Sequence, residues 1–167
     1  WMKVNALTGA ADLAELYGTQ DPTIQAGDIV SIASRGSAWV NKSAVPYDPK
    51  MIGVVSTKPS SVMGSAPSGS IPIAVALTGR VPVRIDPESA PIAPGDFLTS
   101  SPSPGLAQKA TSTGYTIAKA LDYWKPETGQ QTVEAILAPG FEMNSFTEIL
   151  KTEQQRISNL EEQLTKL

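Results

Sequence analysis

Cysteine and histidine are both absent from the 167 residues. Without cysteine there is no disulfide framework, thiol nucleophile or zinc–thiolate site. Without histidine the usual nucleophile–base pairs and most transition-metal sites cannot be built. Any chemistry must then use carboxylates, hydroxyls, lysine or backbone, so the chain reads as a non-enzyme, with no cofactor and no metal. Charge of one sign is also scarce: 13 basic residues against 16 acidic ones leave a net charge of −3, with no Lys/Arg cluster. That excludes electrostatic binding to nucleic acid or to an anionic membrane. No apolar run approaches the ~20 residues a membrane helix needs, and the opening WMKVNALTGA is not a signal peptide, so no membrane insertion is expected.

What the chain does contain is 14 prolines and 13 glycines, which fall mostly between short β-branched runs. Residues 21–140 read GDIVSIAS, AWVNKS, MIGVVST, IPIAVALTG, RVPVRI, GDFLTSS, LAQKAT, YTIAKAL and QTVEAILAPG. Runs of four to nine residues rich in Val and Ile, punctuated by turn residues, are strands of a barrel or sandwich. Residues 58–70 (KPSSVMGSAPSGS) read as an exposed loop and 122–130 (DYWKPETGQ) as a hairpin tip. Neither has the glycine spacing of a phosphate loop.

Four blocks recur in order. TIQAGDIVSI (23–32) matches PIAPGDFLTS (91–100), AWVNKS (38–43) matches LAQKAT (106–111), MIGVV (51–55) matches TIAKA (116–120), and VALTG (75–79) matches AILAPG (135–140). The expected architecture is mainly β: an internally duplicated barrel- or sandwich-like domain over 21–140, with halves of about 21–85 and 86–140. The Gly27-Asp28 and Gly95-Asp96 pairs sit before a strand in each half, where glycine supplies a positive φ and aspartate accepts turn amides.

From residue 145 the character changes. Ser145 and Glu148 form a capping box that starts a helix over 145–167. Phe146, Leu150, Ile157, Leu160, Leu164 and Leu167 follow heptad spacing, with Ile157 and Leu164 at a, Leu160 and Leu167 at d, and Glu153 as the exception at d. A coiled coil is expected to be the oligomerisation element, with Arg156 at g facing Glu161 at e of a neighbouring chain. The competing arrangement is an amphipathic helix folded back on its own β-domain.

Residues 1–20 read as a lead-in from an upstream fibre or stalk, with Trp1, Val4 and Leu7 as interface residues. Within it Asp12 and Glu15 fit a solvated, capped helical turn, Asp12 at the N-cap and Glu15 at N3, whose Leu13, Leu16 and Tyr17 dock on the barrel. Exposed aromatics beside polar loops give a second function class, a receptor- or glycan-binding module using Tyr123 and Trp124, with a host glycan or surface protein as partner. Trp39 and Trp124 fit a core equally well.

The order ADLAE (11–15), GDIVSI (27–32) and MIGVVSTKPSSVMG (51–64), with VALTGRVPVRI (75–85) and APIAPGDFLTSS (90–101), resembles the peptidase G2 family. These are intramolecular-chaperone domains at the C-terminal end of trimeric phage tail spikes and fibres, with relatives in bacterial fibre-like surface proteins. The resemblance implies a homotrimeric assembly module of a virion fibre or of the extracellular cell surface. It also implies single-turnover self-cleavage at Ala11-Asp12, with Asp12 and Glu15 as the catalytic pair.

Overall fold

The computed structural model describes residues 11–143 and 146–165. Ten strands and one long helix follow in chain order: β1 Asp12–Thr19, β2 Ile29–Ile32, β3 Val40–Lys42, β4 Met51–Val55, β5 Ser61–Met63, β6 Ile71–Arg84, β7 Phe97–Ser100, β8 Ala107–Lys109, β9 Gly114–Ala120, β10 Thr132–Glu142 and α1 Phe146–Leu164. The protein is mainly β, and its strands form a curled, half-barrel sheet. Its hydrogen-bonded path runs β3-β2-β4-β6-β10-β9-β7-β8, with β1 added beside β6 and β5 beside β1. The sequence expectation of a closed, duplicated barrel or sandwich is thus met only at the level of a strand-rich domain.

β6 spans the sheet. Its first half pairs antiparallel with β1, from Asp12↔Gly79 to Thr19↔Ile71, and with β4 at Val54↔Ala76 and Val55↔Val75. Its second half pairs with β10, from Ile136↔Arg80 to Thr132↔Arg84. Strand alternation then divides the apolar residues between two clusters. Ile29 and Val54 enter a large core shared with Val81, Val83, Leu98, Ile117 and Val133. Their neighbours Val30 and Val55 join Val40 and Val75 in a smaller one, against Tyr17, Ile52 and Ile73.

Within the expected 1–20 lead-in, the predicted helical turn at Asp12 to Glu15 is instead part of strand β1 of the sheet, Asp12–Thr19. Ala, Leu and Glu favour a helix only weakly, by tenths of a kcal/mol per residue. Pairing along all of β1 with β6, and with β5 on the other edge, outweighs that preference. Residues 58–70 also hold more than a loop: β5 runs parallel to β1, with all three of its side chains exposed. Residues 122–130 do connect a hairpin, β9 to β10, through a single 3₁₀ turn at Pro126–Thr128.

The two Gly-Asp turns are built alike. Gly27 and Gly95 have φ of 87° and 92°, a conformation that costs glycine nothing. Asp28 Oδ2 accepts the Gln25 N–H at 3.0 Å and Asp96 Oδ2 accepts the Ala93 N–H at 2.8 Å. The following carbonyls accept Val55 N–H and Ala120 N–H, at 2.8 and 2.9 Å. Registers recur as well: Val30↔Gly53 parallels Leu98↔Ala118, and Val30↔Lys42 parallels Leu98↔Lys109, one residue off the match of 38–43 with 106–111 read from the sequence.

Their surroundings differ. Asp28 is fully buried and bonds Arg84 Nη1 at 2.6 Å, with Lys42 Nζ at 3.7 Å. Asp96 remains partly hydrated and pairs only with Lys109, at 2.7 Å. Desolvation pushes the Asp96 carboxyl up, but the Lys109 ammonium and the Ala93 N–H outweigh it and hold it below the usual carboxylate range. Removing one partner of a buried ion pair strands the other charge, whereas a hydrated pair contributes little. Asp28→Asn is expected to cost about 2–4 kcal/mol and Asp96→Asn about 1 kcal/mol or less, measured by urea unfolding at pH 7; equal costs would show that the burial of Asp28 carries no extra weight.

Candidate functional site

Asp12 opens β1 and is buried. Its carbonyl accepts both the Ser60 N–H at 2.9 Å and the Ser60 hydroxyl at 2.6 Å. The carbonyl of Ala11, one peptide earlier, accepts the Arg80 N–H at 3.0 Å. Gly79 lies directly against this peptide at φ 98°, so close that a Cβ there would strike Ala11 O and Asp12 Cα. The Ala11-Asp12 peptide is therefore held by Gly79 and Arg80 of β6, and the next peptide, through the Asp12 carbonyl, by Ser60 just before β5. Asp12 Oδ2 is buried without a hydrogen-bond partner, an arrangement that costs about 1–3 kcal/mol of unrecovered desolvation.

The second acid is elsewhere. Asp12 and Glu15 are three residues apart on an extended strand, which turns them to opposite faces and separates them by about 10 Å along it. Glu15 shares its face with Tyr17, whose hydroxyl donates to Glu15 Oε2 at 3.0 Å. Burial, then the hydrogen bond and the charge of Glu15, push the Tyr17 phenol above its ordinary value. The structure thus sets Asp12 apart from Glu15 and places it between the Arg80 N–H, on the preceding carbonyl, and Ser60, on its own. Ser60 was not singled out by sequence reasoning, and its Ser/Pro-rich surroundings offer no signal that would have marked it.

At the other end of the chain, α1 exposes its described side chains. Leu150, Ile157, Leu160 and Leu164 are 53–70% exposed, and residues 153–165 are exposed throughout. The helix therefore does not fold its apolar stripe onto the β-domain. Glu153 and Arg156 form an i,i+3 pair at 3.7 Å within one helix. Ser145 and Leu167, the residue-level expectations for the cap and the last d position, lie outside the described residues, as do Trp1, Val4 and Leu7 and the side chains of Phe146 and Glu148.

The aromatics expected to touch a glycan separate. Trp124 is core: it is 3% exposed, and its Nε1–H donates to Gln130 O at 2.6 Å. A contact through the Trp124 ring is thereby ruled out, because reaching it would require opening the hairpin connection. Tyr123 is 71% exposed. Trp39 is half-buried, with the Arg35 guanidinium 5.4 Å from its ring centroid.

No family model matches the chain, so the specific resemblance to peptidase G2 is not supported, and no curated protein matches it. Among solved structures the chain is similar to a C-terminal fragment of bacteriophage phi29 gene product 12, with 17% identity over 75% of this chain and 98% of that one and a TM-score of 0.47. It is also similar to pre-mature phi29 gene product 12, with 17% identity over 76% of this chain, 21% of that one and a TM-score of 0.48. Likeness at this level carries no inference about activity or assembly. Among the described residues no helix is long and apolar enough to cross a membrane.

Gly79 is the residue on which the clamped peptide depends. Gly79→Ala is expected to cost about 2–4 kcal/mol by equilibrium unfolding, combining a left-handed alanine with displacement of β1. Gly36→Ala, at φ 110° with nothing within 4 Å, isolates the backbone part and is expected to cost about 1 kcal/mol; equal costs for the two would mean that β1 yields freely.

Proposed function

We propose that this chain is an assembly module of a virion or extracellular fibre, in which α1 joins three copies as a parallel coiled coil and the β-domain stabilises the joined state. The observation that carries this reading is the uncovered heptad stripe of Leu150, Ile157, Leu160 and Leu164 on a helix that does not pack back on its own domain. A 19-residue helix alone is marginal in water. Burying an exposed Leu or Ile contributes about 1.5–3 kcal/mol each, so self-association along this stripe supplies the stability that the lone helix lacks. Glu153 at d fixes the register of the chains at a cost in stability, and Arg156 of one chain reaches Glu161 of the next.

The recurring turns and registers support reading the β-domain as two copies of one unit, joined through β6. In light scattering the protein is expected to show three times the 17.6 kDa chain mass, and Ile157→Glu with Leu160→Glu to reduce it to a single chain while the β-sheet circular-dichroism signal persists. A twofold mass would replace the trimer with a dimer; a single-chain mass for the unmodified protein would overturn the coiled coil.

A second reading, favoured by the orphaned Asp12 carboxyl, adds self-cleavage of Ala11-Asp12 during assembly. The Asp12 carboxylate activates a water against the Ala11 carbonyl carbon, the Arg80 N–H holds the carbonyl oxygen where negative charge develops, and the peptide nitrogen takes up a proton as it leaves. Glu15, on the other face, takes no part. The test is the intact denaturing mass of the protein expressed with its natural upstream sequence. Cleavage leaves a chain beginning at Asp12 in the unmodified protein and in Glu15→Gln, and none in Asp12→Asn. Full-length mass in all three leaves a permanent clamp.

A further inference from the structure

Just before α1 the β-domain presents a compact apolar surface. Tyr115 of β9 and Phe141 of β10 meet edge to face, with ring centroids 5.1 Å apart and planes at 79°. They are nevertheless 44% and 55% exposed, and Met143 beside them is 64% exposed. The two rings border a cleft of ≈ 330 Å³ whose walls include Pro49, Met51 and Pro139. Single exposed apolar residues are ordinary, but two edge-to-face aromatics lining an open cleft, with an exposed methionine two residues after the second, mark a contact surface.

We infer that the Tyr115–Phe141 surface is the seat on which the β-domain of each copy meets a second copy of this chain. This rests on the coiled-coil reading of α1, and the length of the connection carries it. Phe141 precedes Phe146, the first residue of α1, by five residues, a reach of at most about 18 Å. Helices in a coiled coil pack 8–10 Å apart. Pairing through Leu150 and Ile157 therefore gathers Phe141 and Met143 of every copy around one axis, whichever way the β-domains hang from it. At that point an exposed aromatic pair faces the neighbouring copy rather than bulk water. Aromatic pairs add about 0.5–1.5 kcal/mol beyond the area they bury, which resists fraying where the coiled coil begins.

The absence of cysteine makes the test direct, because any introduced thiol is the only one present. Phe141→Cys, Met143→Cys and the reference Tyr123→Cys are reacted with a maleimide in the assembled protein, each rate normalised to the same variant in denaturant, with mass measured by light scattering. The expected result is at least tenfold slower labelling at 141 and 143 than at 123. That protection should be lost when Ile157→Glu and Leu160→Glu separate the chains. Labelling at 141 and 143 as fast as at 123 in a multi-chain assembly overturns the seat and leaves the coiled coil standing. A single-chain mass before any substitution overturns the coiled coil and the seat together. Should Phe141→Cys disturb β10, Met143→Cys, beyond the end of that strand, decides the question alone.

Discussion

The fold turns on one buried carboxylate. Asp28 has no solvent to share its charge, so its oxygens must be satisfied within the protein: by the Gln25 N–H, by the Arg84 guanidinium and, more distantly, by Lys42. Arg84 is the last residue of β6, and its own N–H donates to Gly27 O at 3.0 Å. Gly105, from the segment between β7 and β8, packs so closely on Asp28 that a Cβ there would overlap the carboxyl. Its carbonyl takes the Ile29 N–H and its N–H donates to Ser43 O. One side chain thus joins the turn before β2, the end of β6 and the β7–β8 connection, which are distant in sequence.

The two Gly-Asp turns, alike in backbone, are unlike in what surrounds them. Asp96 sits in the same turn with the same backbone bonds, yet it is partly exposed and its ion pair is with Lys109. Nothing within the Gly-Asp motif separates the two. In the sheet path the two turns hold matching places, each leading into the strand second from one end; what differs is that the end of β6 meets the first turn, where the Arg84 N–H donates to Gly27 O and its guanidinium bonds Asp28. A charge is tolerated in the interior only where a second cation reaches it, and Arg84 can reach Asp28 alone.

The sequence was legible where information is local and periodic. Strands β2, β4, β7, β9 and β10, the Gly-Asp turns and the presence of a helix after β10 all follow from apolar runs, glycine positions and heptad spacing, because neighbours in the chain decide them. It was misleading at Asp12–Thr19, where the residues favour a helix and partners some sixty positions later impose a strand. β5 was invisible for a related reason: three exposed residues have no alternation to read, and only β1 beside them makes them a strand. The proposed pairing of Asp12 with Glu15 fails on the same point, since an i,i+3 spacing that unites side chains on a helix divides them on a strand. Ser60 and the Arg80 N–H, which bond the carbonyls of Asp12 and Ala11, come from segments whose sequence carries no trace of that role.

The two ends of the chain are coupled through adjacent residues of one strand. Asp12 partners Gly79, and Ile136 partners Arg80; β10 then runs on towards α1. The proposed association of α1 would restrain β10 directly; β10 restrains β6 through backbone hydrogen bonds that tolerate no partial slip, because a one-residue shift would turn Val81 and Val83 out of the core. β6 in turn fixes where β1 begins, by the fit of Gly79 against the Ala11-Asp12 peptide. In the proposed assembly, registering the helices of several copies would by the same route register the starting points of their first strands, from a helix that never has to touch them.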